Sequence, residues 1–164
     1  MERIQTITPC LWFDTQGEEA AKFYVSVFPN SRITQVTHFT EAGYELHQEE
    51  PGSVMTVEFE LDGQAFTALN GGPMFKFTEA VSLQVNCRKQ DDLDHYWTRL
   101  SEDGNPEAQQ CGWLKDRYGL SWQIVPAQMG EWMKGSPQQA GRVINAMLKM
   151  KKLDITALQD AYDG

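Results

Sequence analysis

The sequence predicts an α+β chain in which a strand, a helix and further strands occur twice, with helices added at the end. Three observations carry this. Ile7-Thr8-Pro9-Cys10-Leu11-Trp12-Phe13 is an apolar run of strand length, and it leads into a helix-like segment over residues 18–28. Ala80-Val81-Ser82-Leu83-Gln84-Val85-Asn86-Cys87 leads into residues 91–100 in the same order, with acids falling on acids and Phe23-Tyr24 on Tyr96-Trp97. Each copy then runs into strand-like segments, and self-similarity of this kind decides the architecture before any single element does. The repeat suggests two modules sharing one sheet system, with a site between them. Module 1 is expected over about residues 1–75, module 2 over about 76–127 and a helical tail over about 128–164, as parts of a single domain.

The elements follow from local chemistry. Thr15 and Glu18 stand at capping-box spacing, the Thr hydroxyl accepting from the third helical N–H and the Glu reaching back. Ala20, Phe23, Tyr24, Val27 and Phe28 then form one apolar helix face, and Pro29-Asn30 ends the helix. Residues 31–39 read as a strand, and the acidic stretch 41–52 as a loop. In residues 54–61, Met55, Val57, Phe59 and Leu61 alternate with Thr56, Glu58 and Glu60. Asp62-Gly63 is a hairpin signal, so residues 65–69 return as the partner strand. In the second copy the helix spans about residues 91–102. Two short strands are expected near 108–111 and 112–115, and the last over 120–125. In the tail, Ser136-Pro137 starts a helix carrying Ala140, Val143, Ile144, Met147 and Leu148, and Lys149, Lys151 and Lys152 suit its C-terminal dipole. Asp154 caps a final helix. The tail is expected to pack over the sheet or onto a second subunit.

Bulk properties narrow the function. The chain has 164 residues, 41% hydrophobic and 23% charged, which suits a globular protein with a core. A formal net charge of -9 argues against nucleic acid and anionic membranes as partners. No apolar run reaches the ~20 residues of a membrane helix. No basic segment precedes an apolar stretch at the start, so no signal peptide is expected. Cys10, Cys87 and Cys111 are odd in number and widely spaced, which fits reduced thiols in a cytoplasm and no zinc knuckle.

Strand parity locates the candidate site, because successive side chains take opposite faces. Val81, Leu83, Val85 and Cys87 form one set, with Ser82, Gln84 and Asn86 opposite. Leu120, Trp122 and Ile124 form another, with Ser121, Gln123 and Val125 opposite. If the apolar sets lie under the helices, the uncharged polar sets share a face suited to a polar cavity. Asp116 and Arg117 either pair within their turn or Asp116 joins Gln123 at the cavity mouth. Trp122 holds its strand against a helix, and Trp12, Trp113 or Trp122 could stack on a ligand. The expected ligand-binding set is therefore Ser82, Gln84, Asn86, Ser121, Gln123, Trp122 and Asp116.

The chain resembles the vicinal oxygen chelate (glyoxalase/bleomycin-resistance) superfamily, in its PhnB-like branch often labelled 3-demethylubiquinone-9 3-methyltransferase. The similarity rests on residues 7–13, Glu18-Glu19-Ala20, Phe23-Tyr24, Phe28-Pro29-Asn30-Ser31, Val54-Met55-Thr56 and Leu69-Asn70-Gly71-Gly72-Pro73. It rests above all on Cys111-Gly112-Trp113-Leu114-Lys115-Asp116-Arg117-Tyr118-Gly119-Leu120-Ser121-Trp122-Gln123-Ile124-Val125-Pro126, and it extends to residues 142–150 and 152–155 of the tail. It implies paired βαβββ modules, cupped mixed sheets around a cavity, and a homodimer. The superfamily often holds a divalent ion on the first and last strands of each module, through His, Glu or Gln. Those positions here fall near Thr8 or Pro9, near Thr67, near Ser82 and at Gln123, and only Gln123 resembles a ligand. No metal and no cofactor are therefore expected. His38, His47 and His95 do not complete a set. Gly71-Gly72-Pro73 follows a strand, but Pro lacks the donor that a loop binding S-adenosylmethionine would supply. The expected function is a small-molecule-binding protein or an enzyme, with catalysis left open. A metal-dependent lyase, isomerase or dioxygenase, a sequestering resistance-type protein and a methyltransferase are the rivals.

Overall fold

The computed structural model describes residues 3–164, which divide into two compact units. The first runs to Lys76 and the second is Phe77–Gly164, tail included.

Unit 1 contains β1 (Cys10–Phe13), α1 (Gly17–Val27), β2 (Arg32–His38), α2 (Tyr44–His47), β3 (Val54–Leu61) and β4 (Gln64–Asn70). Its sheet has the order β1-β4-β3-β2, with β1 parallel to β4 and the other pairs antiparallel. The expected alternation in β3 holds: Val57, Phe59 and Leu61 are buried. Tyr24 of α1 stacks on Phe59, and Phe59 on Phe66 of β4. Asp62 and Gly63 both take positive φ, +48° and +79°, as a two-residue hairpin turn with right-twisted strands requires.

Two local expectations fail here for identifiable reasons. The Thr15 capping box does not form, because α1 begins at Gly17 with Gln16 as its N-cap. The buried Asn70 side chain on β4 accepts the Gly17 N–H at 2.7 Å, so a cap from across the fold replaces the local one. The acidic loop contains one helical turn, α2, between left-handed Gly43 and Gln48. His47 closes it: Nδ1 accepts the Glu49 N–H at 2.9 Å, and Nε2 lies 3.1 Å from the Ala42 carbonyl.

Unit 2 contains β5 (Ser82–Cys87), α3 (Gln90–Ser101), a 3₁₀ turn (Pro106–Ala108), β6 (Trp113–Lys115), β7 (Ser121–Pro126), α4 (Met129–Met133), α5 (Pro137–Met147) and α6 (Ile155–Asp163). Its separate sheet has the order β5-β7-β6, with β5 parallel to β7. Leu93, Trp97 and Leu100 form the buried stripe of α3, and Leu114, Trp122 and Ile124 are buried apolar side chains of β6 and β7 facing the core. The architecture is α+β with two mixed sheets, but two points correct the expectation. The sheets are distinct rather than one system, and the strand expected at 108–111 is absent. Asn105 caps a 3₁₀ turn there instead. Cys111 and Gly112 both take positive φ, which stops strand geometry. Their N–H groups donate to Met150 and Lys151 carbonyls at 2.9 and 2.8 Å.

The tail folds back on its own unit. Ser136 caps α5 as expected and, with Gln139, forms a capping box that was not expected from the sequence, and Asp154 caps α6. The Gln90 side chain donates to the Leu153 carbonyl and accepts the Ile155 N–H. Helix α4 was not expected from the sequence. Helix α5 stops at Met147, so the three lysines lie beyond its end, and Lys152 pairs with Asp94 instead.

Candidate functional site

Register brings the polar residues of β5 and β7 to one face. Ser82 pairs with Ser121, Gln84 with Gln123 and Asn86 with Val125. Antiparallel β6 adds Trp113 beside Gln123 and Lys115 beside Ser121. The opposite face carries Leu83, Val85 and Cys87 with Leu114, Trp122 and Ile124. Val81, expected in the apolar set, precedes the strand and is exposed.

Within unit 2 this face is graded rather than flat. Gln84 and Asn86 are exposed, Ser82, Gln123, Trp113 and Lys115 are half-buried, and Ser121 is buried. Gln123 Nε2 donates to Ser82 Oγ at 2.9 Å, which fixes the amide on the face and leaves the Ser82 hydroxyl hydrogen able to donate. Ser121 Oγ is buried without a hydrogen-bond partner. Lys115 forms an ion pair with Glu79, in the segment just before β5. The hydrogen bond from Lys115, a backbone hydrogen bond and the ammonium charge hold the Glu79 carboxyl below its ordinary value.

Two expected site residues lie elsewhere. Trp122 is 2% exposed and on the core face. Asp116 is also 2% exposed and serves its turn: one carboxylate oxygen accepts the Tyr118 and Leu120 N–H groups at 2.8 and 3.1 Å, and the other accepts Trp122 Nε1–H at 2.9 Å. Arg117 reaches Glu102 and Asp103. Conversely, Trp113 and Lys115 join the face, Trp113 having been expected only as one of three tryptophans that could stack on a ligand and Lys115 not at all. The antiparallel register that sets them beside Gln123 and Ser121 cannot be read from one strand alone.

The donors on these faces do not fit a tightly held divalent ion. The positions that the resemblance implies for ligands, near Thr8 or Pro9, near Thr67, near Ser82 and at Gln123, carry no imidazole, carboxylate or thiolate at those residues. Among the described residues, no three His, Cys, Asp or Glu side chains are grouped to hold a metal. The Gly71-Gly72 break is explained by packing. A Cβ at Gly71 would lie 2.3 Å from the Trp12 ring, and the Gly72 carbonyl accepts Trp12 Nε1–H at 2.9 Å.

Among the described residues no helix is long and apolar enough to cross a membrane. Residues 5–125 match the model of the family described as 3-demethylubiquinone-9 3-methyltransferase. A PhnB protein from Bacillus cereus is 34% identical, covering 75% of this chain and 100% of its own, with a TM-score of 0.63. A protein from Pseudomonas aeruginosa shares the fold at 18% identity and a TM-score of 0.55, over 73% of this chain and 96% of its own. No curated protein matches the sequence.

Proposed function

Because the chain belongs to the 3-demethylubiquinone-9 3-methyltransferase family, the PhnB-like branch of the vicinal oxygen chelate superfamily, we propose that it binds a small organic molecule on the polar face of β5, β6 and β7. The methyltransferase words name the family and describe nothing in this site. The observation that carries the reading is the Gln123–Ser82 hydrogen bond, which orients an amide on a half-open stretch of sheet where the cation Lys115 is paired with Glu79. A fixed amide presents its free acceptor and donor without the ordering cost that a mobile side chain would incur. Gln84 and Asn86 extend the same surface with further amides that can adapt to ligand oxygens and nitrogens.

The reading requires no metal, since the ligand would be held by the side-chain donors and acceptors of the face itself. Protein purified without chelator should carry far less than one divalent ion per chain, and about one tightly held ion per chain would overturn metal-independence. We place the protein in the cytoplasm as a homodimer. The three unpaired cysteines suit a reducing compartment, and the strongly exposed Ile4, Ile7, Leu46 and Met74 suit a second copy. Light scattering should return about twice 18.7 kDa, and a monomer at micromolar concentration would remove that element.

A fragment screen by heteronuclear NMR tests the site. Hits should shift the side-chain amides of Gln84, Asn86 and Gln123. Gln123→Ala should weaken the best hit by about tenfold, the worth of one well-placed hydrogen bond, and leave the thermal midpoint unchanged. Hits that bind without moving those amides would place the site elsewhere.

A further inference from the structure

Lys115, Ser121 and Ser82 form one lateral row across β6, β7 and β5. Lys115 reaches along that row to Glu79, which lies on the far side of Ser121, three residues before Ser82. Between Lys115 and Ser82 in that row stands Ser121, whose hydroxyl is buried and without a hydrogen-bond partner. An unsatisfied buried hydroxyl is costly and uncommon, and it calls for a reason. The Ser82 hydroxyl beside it accepts from Gln123 and keeps its own hydrogen to donate. One ammonium and two hydroxyl donors therefore stand side by side in one cross-strand row, and the ammonium is served by a carboxylate of the chain itself.

Resting on the small-molecule reading above, we propose that Lys115, Ser121 and Ser82 form an anion subsite for the carboxylate of a small organic acid, and that Glu79 is a displaceable stand-in for it. The Glu79 side chain is 63% exposed, against 26% for Lys115, so the cation is fixed in the sheet and the carboxylate is the mobile partner. Exposed ion pairs contribute little net stability, so releasing Glu79 is cheap. An incoming carboxylate recovers the same ammonium and adds the hydroxyl donors that Glu79 leaves unused. The rest of the ligand then lies along the strand. Trp113 projects from the same face of β6, about 7 Å from Lys115, beside Gln123. An aromatic face at that distance suits the ring of an aryl carboxylate.

Benzoate and its neutral isostere benzamide are the probes, titrated into the full chain with backbone and indole N–H signals followed by NMR. Benzoate should shift Trp113, Lys115, Ser121 and Ser82, and benzamide should bind at least about tenfold more weakly for want of the charge-assisted contacts. Glu79→Gln removes the competing carboxylate while leaving an exposed loop intact. It should tighten benzoate binding about fivefold, the reciprocal of the fraction of time the subsite is free. Ser121→Ala removes a buried unpartnered hydroxyl without harming the fold and should weaken benzoate several-fold. Lys115→Met should abolish the preference for benzoate over benzamide. Equal binding of the two probes, or unchanged benzoate affinity in Glu79→Gln, would overturn the subsite while shifts on this face left the broader reading standing. No shift on the face from either probe or from any fragment hit would overturn both.

Discussion

At the scale of single residues, burial decides which polar groups build the fold and which remain for a ligand. Asp116 looks like a site residue in the sequence because it stands just before the Trp-Gln strand, yet its two oxygens are committed to two backbone N–H groups and the Trp122 indole. Asp116→Asn puts an NH₂ group where one of those donors points, so at least one buried donor loses its acceptor. The expected cost is about 2–3 kcal/mol of unfolding free energy in urea, and a loss below about 0.5 kcal/mol would show that the carboxylate is not what holds the turn. Cys87 is a second case. Burial, with a smaller contribution from the Asp92 charge, pushes its thiol up from 9.0 to about 11. The folded state therefore holds the thiol proton more tightly than the unfolded state. That stability is complete below the unfolded value and is lost as pH rises from about 9 to about 11. Thermal midpoints should fall across that window, and Cys87→Ala should flatten the fall. An equal slope in the variant would assign the alkaline loss to other groups.

At the scale of elements, the sequence was legible wherever an element's signal is local. The β3 alternation, the Asp62-Gly63 turn, the Ser136 N-cap and the Asp154 cap all arise from neighbours a few residues apart. The failures share the opposite cause. Thr15 loses its capping role to Asn70, more than fifty residues away, and the strand expected near Cys111 gives way because Met150 and Lys151 take its donors. The β5 and β7 residues of the candidate face were legible by parity, whereas the placement of Trp113 and Lys115 depended on register with a neighbouring strand. Gly112 marks the junction between these long-range effects. Its φ is +85°, and a Cβ there would lie 2.9 Å from Leu153 Cδ1 and 3.1 Å from the Ile124 carbonyl. Gly112→Ala should therefore cost roughly 2–4 kcal/mol through backbone strain and displacement of Leu153, and should speed proteolysis between α5 and α6. A variant with wild-type stability would mean that the tail adjusts without resistance.

At the scale of the whole molecule, the family match and the packing make opposite forecasts for the tail. The match ends at residue 125, which suggests that the remaining residues are an accessory. The packing makes them a part of unit 2. Trp132, Val143, Leu153 and Leu158 are all buried, and the tail supplies the partners of the Cys111 and Gly112 N–H groups and of both ends of the Gln90 amide. Removing it would leave those donors and acceptors to water and uncover the apolar side chains beneath. Small units have little reserve, because net stability is a small difference between large opposing quantities. A chain truncated after Ala127 should therefore unfold at a midpoint lower by about ten degrees or more (about 2–3 kcal/mol or above for a unit this size), or fail to stay soluble. The residues of the polar face, on β5 to β7, would be affected only through the loss of stability, since the tail's hydrogen bonds are made at Gln90, Cys111 and Gly112 rather than on that face. A truncated chain that keeps its midpoint within about two degrees would restore the accessory view and show that the sheet and α3 form a self-sufficient core.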